Sequence, residues 1–389
     1  MSNQHLNKET GLNYFHKGEG RDIEQCLIEF FERFIRKDYD KFVKAKQFSR
    51  DVFQEMGRIN ILGAMIPEEY GGVGLNMSQY VILMESLACY GGGEAALALI
   101  AHHSLAAAHI IYAGTEEQKM VFLPKLASGE MIGAWCLTEP GAGSDAFGGM
   151  RTTATPTASG WLINGTKQFI TNALHADIYV VMARIKNDSD TYGAFIIPRY
   201  SKGLISSERS GNKIGMHAND TMTVTFDSVE IGAEAMMAED GRVSTFKVLN
   251  NSRIGISALA CGLLRSSLFE AINRSKERMA FGKPIANNQG VTFPLVDAYS
   301  EWLASWAMVK ESALAADNGT LSPELSAATK LKTTRSAFTG CLAAMDTFAG
   351  EGYHNECRAA QDFLSARLLQ VGEGTDNMQR LIIARALFR

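Results

Sequence analysis

Apolar periodicity changes twice along this chain, and the order of the changes restricts the fold more than any single motif. From about Arg21 to Glu130 the spacing is helical: Ile23, Leu27, Phe30, Phe31, Phe34 and Ile35 recur three and four residues apart and share one face. Ser49 and Thr115 stand where helix N-caps belong, and their hydroxyls can accept from first-turn amides. The glycine-rich stretch Pro67–Gly74 breaks the helices. From about Met131 to Val248 the period is that of strands. Thr152, Thr153, Thr155 and Thr157 lead to a turn at Ser159-Gly160, and WLINGTKQFIT, IYVVMARI, YGAFIIP and MTVTFDSVEI follow. Asn164-Gly165 predicts a type I′ hairpin. From about Thr245 helices return in segments too long to stand unpartnered, which implies a bundle. The fold class is α+β, mainly α: an N-terminal helical domain (1–130), a middle antiparallel β domain (131–248) and a C-terminal four-helix bundle (249–389).

Charge and cysteine usage narrow the function. A net charge of −4 speaks against a phosphate-backbone binder, so no nucleic acid partner is expected. Six scattered cysteines without a CxxC pair read as free thiols of a reducing compartment. MSNQHLNKET lacks the basic-then-apolar pattern of a signal peptide. No uninterrupted apolar run is long enough to span a bilayer, so a cytoplasmic enzyme without membrane insertion is expected. His102-His103 has no carboxylate or cysteine at ligand spacing and reads as core or surface, and no metal is expected.

Two segments carry chemistry. Gly141-Ala-Gly143-Ser-Asp-Ala146 fits the loose dinucleotide fingerprint, but FGGMRTTAT after it reads as strand, where a Rossmann unit needs a helix. The better reading is a strand ending in a glycine loop whose amides, with Thr138 and Ser144, face a ligand. Glu373, before DNMQRLIIARAL, has two readings: a cap for that helix, or a base in a water-poor cleft.

The whole segment Trp135-Cys-Leu-Thr-Glu-Pro-Gly-Ala-Gly-Ser-Asp145 resembles the signature of acyl-CoA dehydrogenases. GTKQFITNA (165–173), ERMAFGKPI (277–285) with Gln289, FAGEG (348–352) and EGTDNMQR (373–380) agree with that family in order. The resemblance covers nearly the whole chain and implies the family fold, FAD as cofactor, and α,β-dehydrogenation of an acyl thioester with Glu373 as α-proton base. It implies that Thr138 and Thr171 bond the flavin ring, with Trp135 and Phe169 beside it, Leu137 and Gly143 in the same cofactor-facing set, and Ser144 on the phosphates. Arg278, Phe281, Gln289 and the Gly350–Gly352 loop would grip the ADP half of FAD in a neighbouring subunit, while Thr375 and Gln379 contact cofactor of their own chain. Arg253, Gly372 and Gly374 fall on the substrate side. A homotetramer built as a dimer of dimers follows, with an electron-transferring flavoprotein as acceptor.

Four departures from the family pattern stand out. Gly372 replaces a common tyrosine, which opens space for a branched, cyclic or polar acyl group. Asp346 stands where a glutamine often contacts the neighbour's cofactor. Ala349 replaces a loop glycine, and Leu364–Arg367 lacks an Arg-Asp pair. Ser252 occupies the place where some relatives for branched substrates carry the base, and serine cannot serve as one. Leu97, Ala98 and Ala101 are expected near the acyl tail, and Arg199 and Lys202 near CoA phosphates or an acidic carrier. Alternatives are the same reaction on an acyl or peptidyl carrier protein, an oxygen-using oxidase on this fold, and a scaffold without catalysis.

Overall fold

The computed structural model describes residues 19–186, 191–208 and 213–388, so the N-terminal decapeptide lies outside the described residues. Six helices open the chain: α1 (Glu19–Phe30), α2 (Tyr39–Ala45), α3 (Arg50–Arg58), α4 (Met77–Leu99), α5 (Ala108–Ala113) and α6 (Glu116–Ser128). Leu27, Phe30, Phe31 and Ile35 are buried, and Phe34 packs against the same core; the Ile23 side chain lies outside the description. Thr115 caps α6 with a capping box completed by Gln118. Ser49 stands at the N-cap of α3, but its hydroxyl makes no cap bond there, and only its carbonyl accepts, from Val52 N. Helix α4 kinks at Gly92 (φ 84°) and continues through a π-helical segment, Ile100–Ala107.

The middle zone is one mixed sheet of β1 (Gly133–Cys136), β2 (Thr153–Pro156), β3 (Gly160–Thr171), β4 (Ile178–Ile185), β5 (Tyr192–Pro198), β6 (Leu204–Glu208) and β7 (Thr221–Gly232). Its order is β1-β4-β2-β3-β7-β6, with β5 also beside β4. Most pairings are antiparallel as expected; β1 and β2 depart from this and run parallel to β4. They take successive stretches of β4, β1 along 178–181 and β2 along 184–185, and the loop 137–152 joins them. Strand β4 is buried on both faces, which explains its unbroken apolar run.

The expected hairpin at Asn164-Gly165 does not form. Strand β3 runs straight through it, because β7 pairs along its whole length and absorbs the extra residue as a bulge between Ile163 and Gly165. A Cβ at Gly165 would come within 2.6 Å of Thr152 Cα, so only glycine lets the strands meet there. Asn164 Oδ1 accepts from Ser228 N instead of turning the chain.

The last zone holds α7 (Gly241–Glu277), a hairpin of β8 (Met279–Ala280) and β9 (Lys283–Pro284), and then α8 (Gln289–Asp317), α9 (Pro323–Thr347), α10 (Arg358–Leu369) and α11 (Asp376–Leu387). Asp240 caps α7 by accepting from Arg242 N and Val243 N. Helices α7 to α10 pack as the bundle, with α11 laid on α9. The bundle shares its core with the N-terminal helices: Met84 and Leu87 of α4 join Leu259 and Leu263 of α7 and Trp302 of α8. At Gly262 the two backbones are so close that a Cβ would sit 2.2 Å from Glu85 O.

Contrary to the reading of the apolar runs, Met77–Ala113 and Gly241–Glu277 are each long and apolar enough to cross a bilayer. Their most apolar windows are 72% and 94% buried inside the fold, as core helices are.

Candidate active site

A cavity of about 1730 Å³ lies where the sheet meets α4, α7 and α11. The sheet side supplies Trp135, Leu137, Thr138, Gly143, Ser144, Phe169 and Thr171. The helical side supplies Arg253, Gly372, Glu373, Gly374 and Thr375, and Leu97 and Ala101 line it from α4 and the π-helical segment. Ala98 is buried in the core, where its carbonyl accepts from Asn172 Nδ2. Arg199 and Lys202 do not border the cavity; Arg199 donates to the carbonyls of Leu174 and Ala176.

Two of the sequence motifs are tied together by a buried ion pair. Lys167 Nζ, on β3, lies 2.8 Å from Glu139 Oε1 and donates to Leu137 O at 3.0 Å. Glu139 also accepts from the amides of Arg151 and Thr152. Burial works against the Glu139 charge, but Lys167 and these donors outweigh it and hold the carboxyl below its usual range. The reciprocal Glu139–Ala142 backbone bonds close a tight turn, so Gly141 and Gly143 face open space: a Cβ at either meets nothing within 4 Å. Strand β2 follows the loop, as the rejection of a Rossmann unit required. A bulge in β3 itself, between Lys167 and Ile170, puts Phe169 at φ 63° and leaves the residue 45% exposed on the cavity.

Trp135 is aimed by a chain of hydrogen bonds. Its Nε1 donates to His109 Nδ1 at 2.9 Å; His109 Nε2 bonds Ser244 Oγ at 2.9 Å, and Ser244 donates to Asp240 O. Burial pushes His109 down to about 3, so it is neutral, and the chain requires its Nε2–H tautomer. His102 is likewise buried: it accepts from Gly133 N and bonds Leu126 O, fixing β1 to α6. His103 accepts from Met65 N and packs on Tyr80.

Glu373 has φ 53° and precedes Gly374 at φ 96°, two consecutive left-handed residues in a tight loop. Such a conformation costs a non-glycine residue about 1–3 kcal/mol and persists only where the surroundings impose it. Three side chains clasp the loop. Lys330 Nζ and Gln379 Nε2 each donate to Gly374 O at 2.8 Å, Gln379 also reaches Glu373 O, and Arg253 Nε approaches Glu373 O at 3.4 Å. Thr375 caps α11 by accepting from Met378 N, which leaves the Glu373 side chain free of that duty.

The Glu373 carboxylate accepts from Ser252 Oγ at 2.6 Å through Oε2, while Oε1 is shielded from solvent without a partner. Burial pushes its pKa up to about 7, against the pull of Ser252, Arg253 and Lys330. Burial also brings Lys330 down to about 8, with Asp376 and Glu373 opposing. Lys330 and the Ser252–Glu373 contact were not among the sequence-based expectations, and no local motif marks either of them.

Six expected residues lie elsewhere: Gln379, expected on the cofactor, is fully buried under the Glu373–Gly374 loop and does not border the cavity, and the other five are on the surface. Arg278, Phe281, Gln289, Asp346 and Gly350 are all exposed outside the cavity, around the β8–β9 hairpin and the ends of α8 and α9. The Phe281 ring is 99% exposed at the hairpin tip. Near them, Phe293 and Val296 of α8 are each 58% exposed.

The chain matches the family models of the acyl-CoA dehydrogenase N-terminal domain over 18–130, middle domain over 134–229 and C-terminal domain over 239–388. It is 33% identical to an acyl-CoA dehydrogenase of Bacillus subtilis (strain 168), over 94% of this chain and 97% of that one. A glutaryl-CoA dehydrogenase from Mycobacterium smegmatis, solved in complex with FADH2, superposes with TM-score 0.91 at 28% identity, covering 96% of this chain and 95% of that one. The prolyl acyl carrier protein oxidase AnaB superposes with TM-score 0.88 at 25% identity, covering 96% and 99%.

Proposed function

The chain belongs to the acyl-CoA dehydrogenase family, and from that premise we propose that it is an FAD-dependent oxidoreductase forming the α,β double bond of an acyl thioester. The observation that carries this is Glu373: a carboxylate whose burial raises its pKa, with one unpartnered oxygen, in a residue that lines the same cavity as Trp135, Phe169 and Thr171. A base of this kind suits abstraction of a proton α to a carbonyl, where the best pKa lies near working pH.

The cavity residues fit a flavin. Open glycines at 141 and 143 leave the loop amides uncovered, Thr138, Ser144 and Thr171 add hydroxyls, and the buried Lys167–Glu139 pair keeps the loop rigid. FAD held there would supply the hydride acceptor for the β-carbon. Glu373 takes the α-proton, and the clasp of Lys330, Gln379 and Arg253 holds it in place. Leu137 and Gly143 border the cofactor space, Gly372 and Gly374 the substrate, and Thr375 and Gln379 fix the segment between them.

Arg278, Phe281, Gln289, Asp346 and Gly350 serve the cofactor of a neighbouring subunit in this reading. Their exposure and the apolar face beside them support a homotetramer built as a dimer of dimers. Both long apolar helices are packed within the fold, in keeping with a soluble cytoplasmic enzyme. The acceptor is an electron-transferring flavoprotein.

The substrate is an acyl-CoA with a branched, cyclic or polar acyl group, admitted by the space at Gly372. A second reading, favoured by the similarity to AnaB, moves the acyl group to a carrier protein, with oxygen as oxidant. Anaerobic mixing of the yellow protein with acyl-CoAs and acyl carrier proteins, following loss of oxidised-flavin absorbance, tests both readings. One class of thioester should bleach the flavin, and Glu373→Gln should keep FAD yet slow bleaching by ~10²–10⁴. Bleaching at the wild-type rate in that variant rejects Glu373 as base. Peroxide release under air would assign the oxidase.

A further inference from the structure

We propose that Ser252 is a positioning residue for the base: its hydroxyl ties down the Glu373 carboxylate, fixing its orientation and favouring its charged form. This rests on the reading of Glu373 as base. Ser252 is buried on α7, 121 residues away in sequence, and its Oγ lies 2.6 Å from Oε2. That is the length of a hydroxyl bonded to an ionised oxygen. Its other acceptor, Leu249 O, is at 3.4 Å and competes poorly.

The remaining groups that face Glu373 leave the carboxylate to Ser252. From α7, Arg253 directs Nε at the Glu373 carbonyl; from α9, Lys330 directs Nζ at the Gly374 carbonyl. From α4, the Tyr80 hydroxyl is engaged with Ser104 Oγ at 2.6 Å. Asp376, at the start of α11, acts on Lys330. The two cations therefore stabilise the carboxylate through space, and among the described residues Ser252 supplies its hydrogen bond. The two oxygens are inequivalent: Oε2 is occupied, while Oε1 is buried and bare.

Proton abstraction needs a lone pair fixed in direction as well as a suitable pKa. As the α C–H bond breaks, its electron pair stays with the substrate and its proton passes to the Glu373 carboxylate; Ser252 keeps its own proton throughout. Loss of the hydroxyl frees the carboxylate to rotate and removes a donor that favours the charged form, so a higher pH is needed to ionise it.

The test is the pH dependence of anaerobic flavin reduction in the FAD-loaded protein, for wild type, Ser252→Ala and Ser252→Thr. Infrared difference titration of the carboxylate, with Glu373→Gln as the blank, gives a readout independent of turnover. Wild type should reach half-maximal reduction near pH 7. Ser252→Ala should move that midpoint alkaline by about one pH unit and slow the plateau rate about three- to tenfold, and Ser252→Thr should restore both. An unmoved midpoint with an unchanged rate in Ser252→Ala overturns the proposal, as does equal loss in Ser252→Ala and Ser252→Thr. A Glu373→Gln variant that still reduces flavin overturns the base reading instead, while the infrared midpoint continues to report on the Ser252 bond.

Discussion

Gly372 is a vacancy beside Glu373. A Cβ placed there meets only Leu368 O, at 3.7 Å, and the backbone is not in the left-handed region. A Cβ is therefore accepted without strain, and a side chain built on it borders the cavity next to Glu373. Gly372→Tyr should therefore fold with a melting temperature close to wild type. Its flavin reduction by branched or cyclic thioesters should fall about tenfold or more, with straight-chain substrates spared. A thermal melt and a substrate panel check it, and equal loss on all substrates would sink the idea of a widened site. The sequence displayed this residue plainly, because a glycine beside an acidic motif is visible in one line of text. It did not display what surrounds Glu373. Lys330 and Ser252 lie 44 and 121 residues from the groups they bond, so their meeting depends on how α7, α9 and the loop before α11 cross. Ala349 shows the converse: the sequence marked a missing glycine, and the structure gives that alanine a φ of 50°, a conformation glycine would adopt with less cost.

At the scale of elements, β3 and the loop after β1 act as one unit through Lys167 and Glu139. Both side chains are buried, so removal of one partner strands a charge in the core. Lys167→Met should destabilise the protein by about 3–5 kcal/mol and release flavin more readily, whereas Lys167→Met with Glu139→Gln should recover much of the stability. Chemical denaturation and flavin retention on a desalting column measure both effects; a harmless single variant would mean that the loop is held by its backbone bonds alone. The strand order was less legible than the strands themselves. Neighbours in a sheet are chosen by the path of the connections, and nothing in GAWC or TATP announces that both will share β4. Asn164-Gly165 carried a hairpin signal that lost to nine residue pairs with β7. Thr115 signalled its cap correctly, while Ser49 held the cap position without using its hydroxyl.

For the whole molecule, the succession of helices, strands and helices was readable, because periodicity survives tertiary packing. That the first and last zones share one core was not, since it arises from close contact of α4 with α7 at Gly262. In the proposed homotetramer the exposed Phe293 and Val296 belong to the subunit interface. Val296→Asp together with Phe293→Ser should lower the oligomeric state and the flavin occupancy in parallel, seen by light scattering and by the ratio of flavin to protein absorbance. Full flavin occupancy in the dissociated variant would place the whole cofactor site within one chain. Helix α7 joins these parts. Its 37 residues run for about 55 Å, from Asp240 behind Trp135, past Ser252 and Arg253, to Arg278 at the hairpin. It works as a ruler. One inserted residue would turn everything beyond it by about 100°, moving the hairpin out of register with the Glu373 loop. Descendants of this gene can exchange letters along the ruler away from Ser252, Arg253 and Gly262 but not lengthen or shorten it, so its length should drift far more slowly than its spelling.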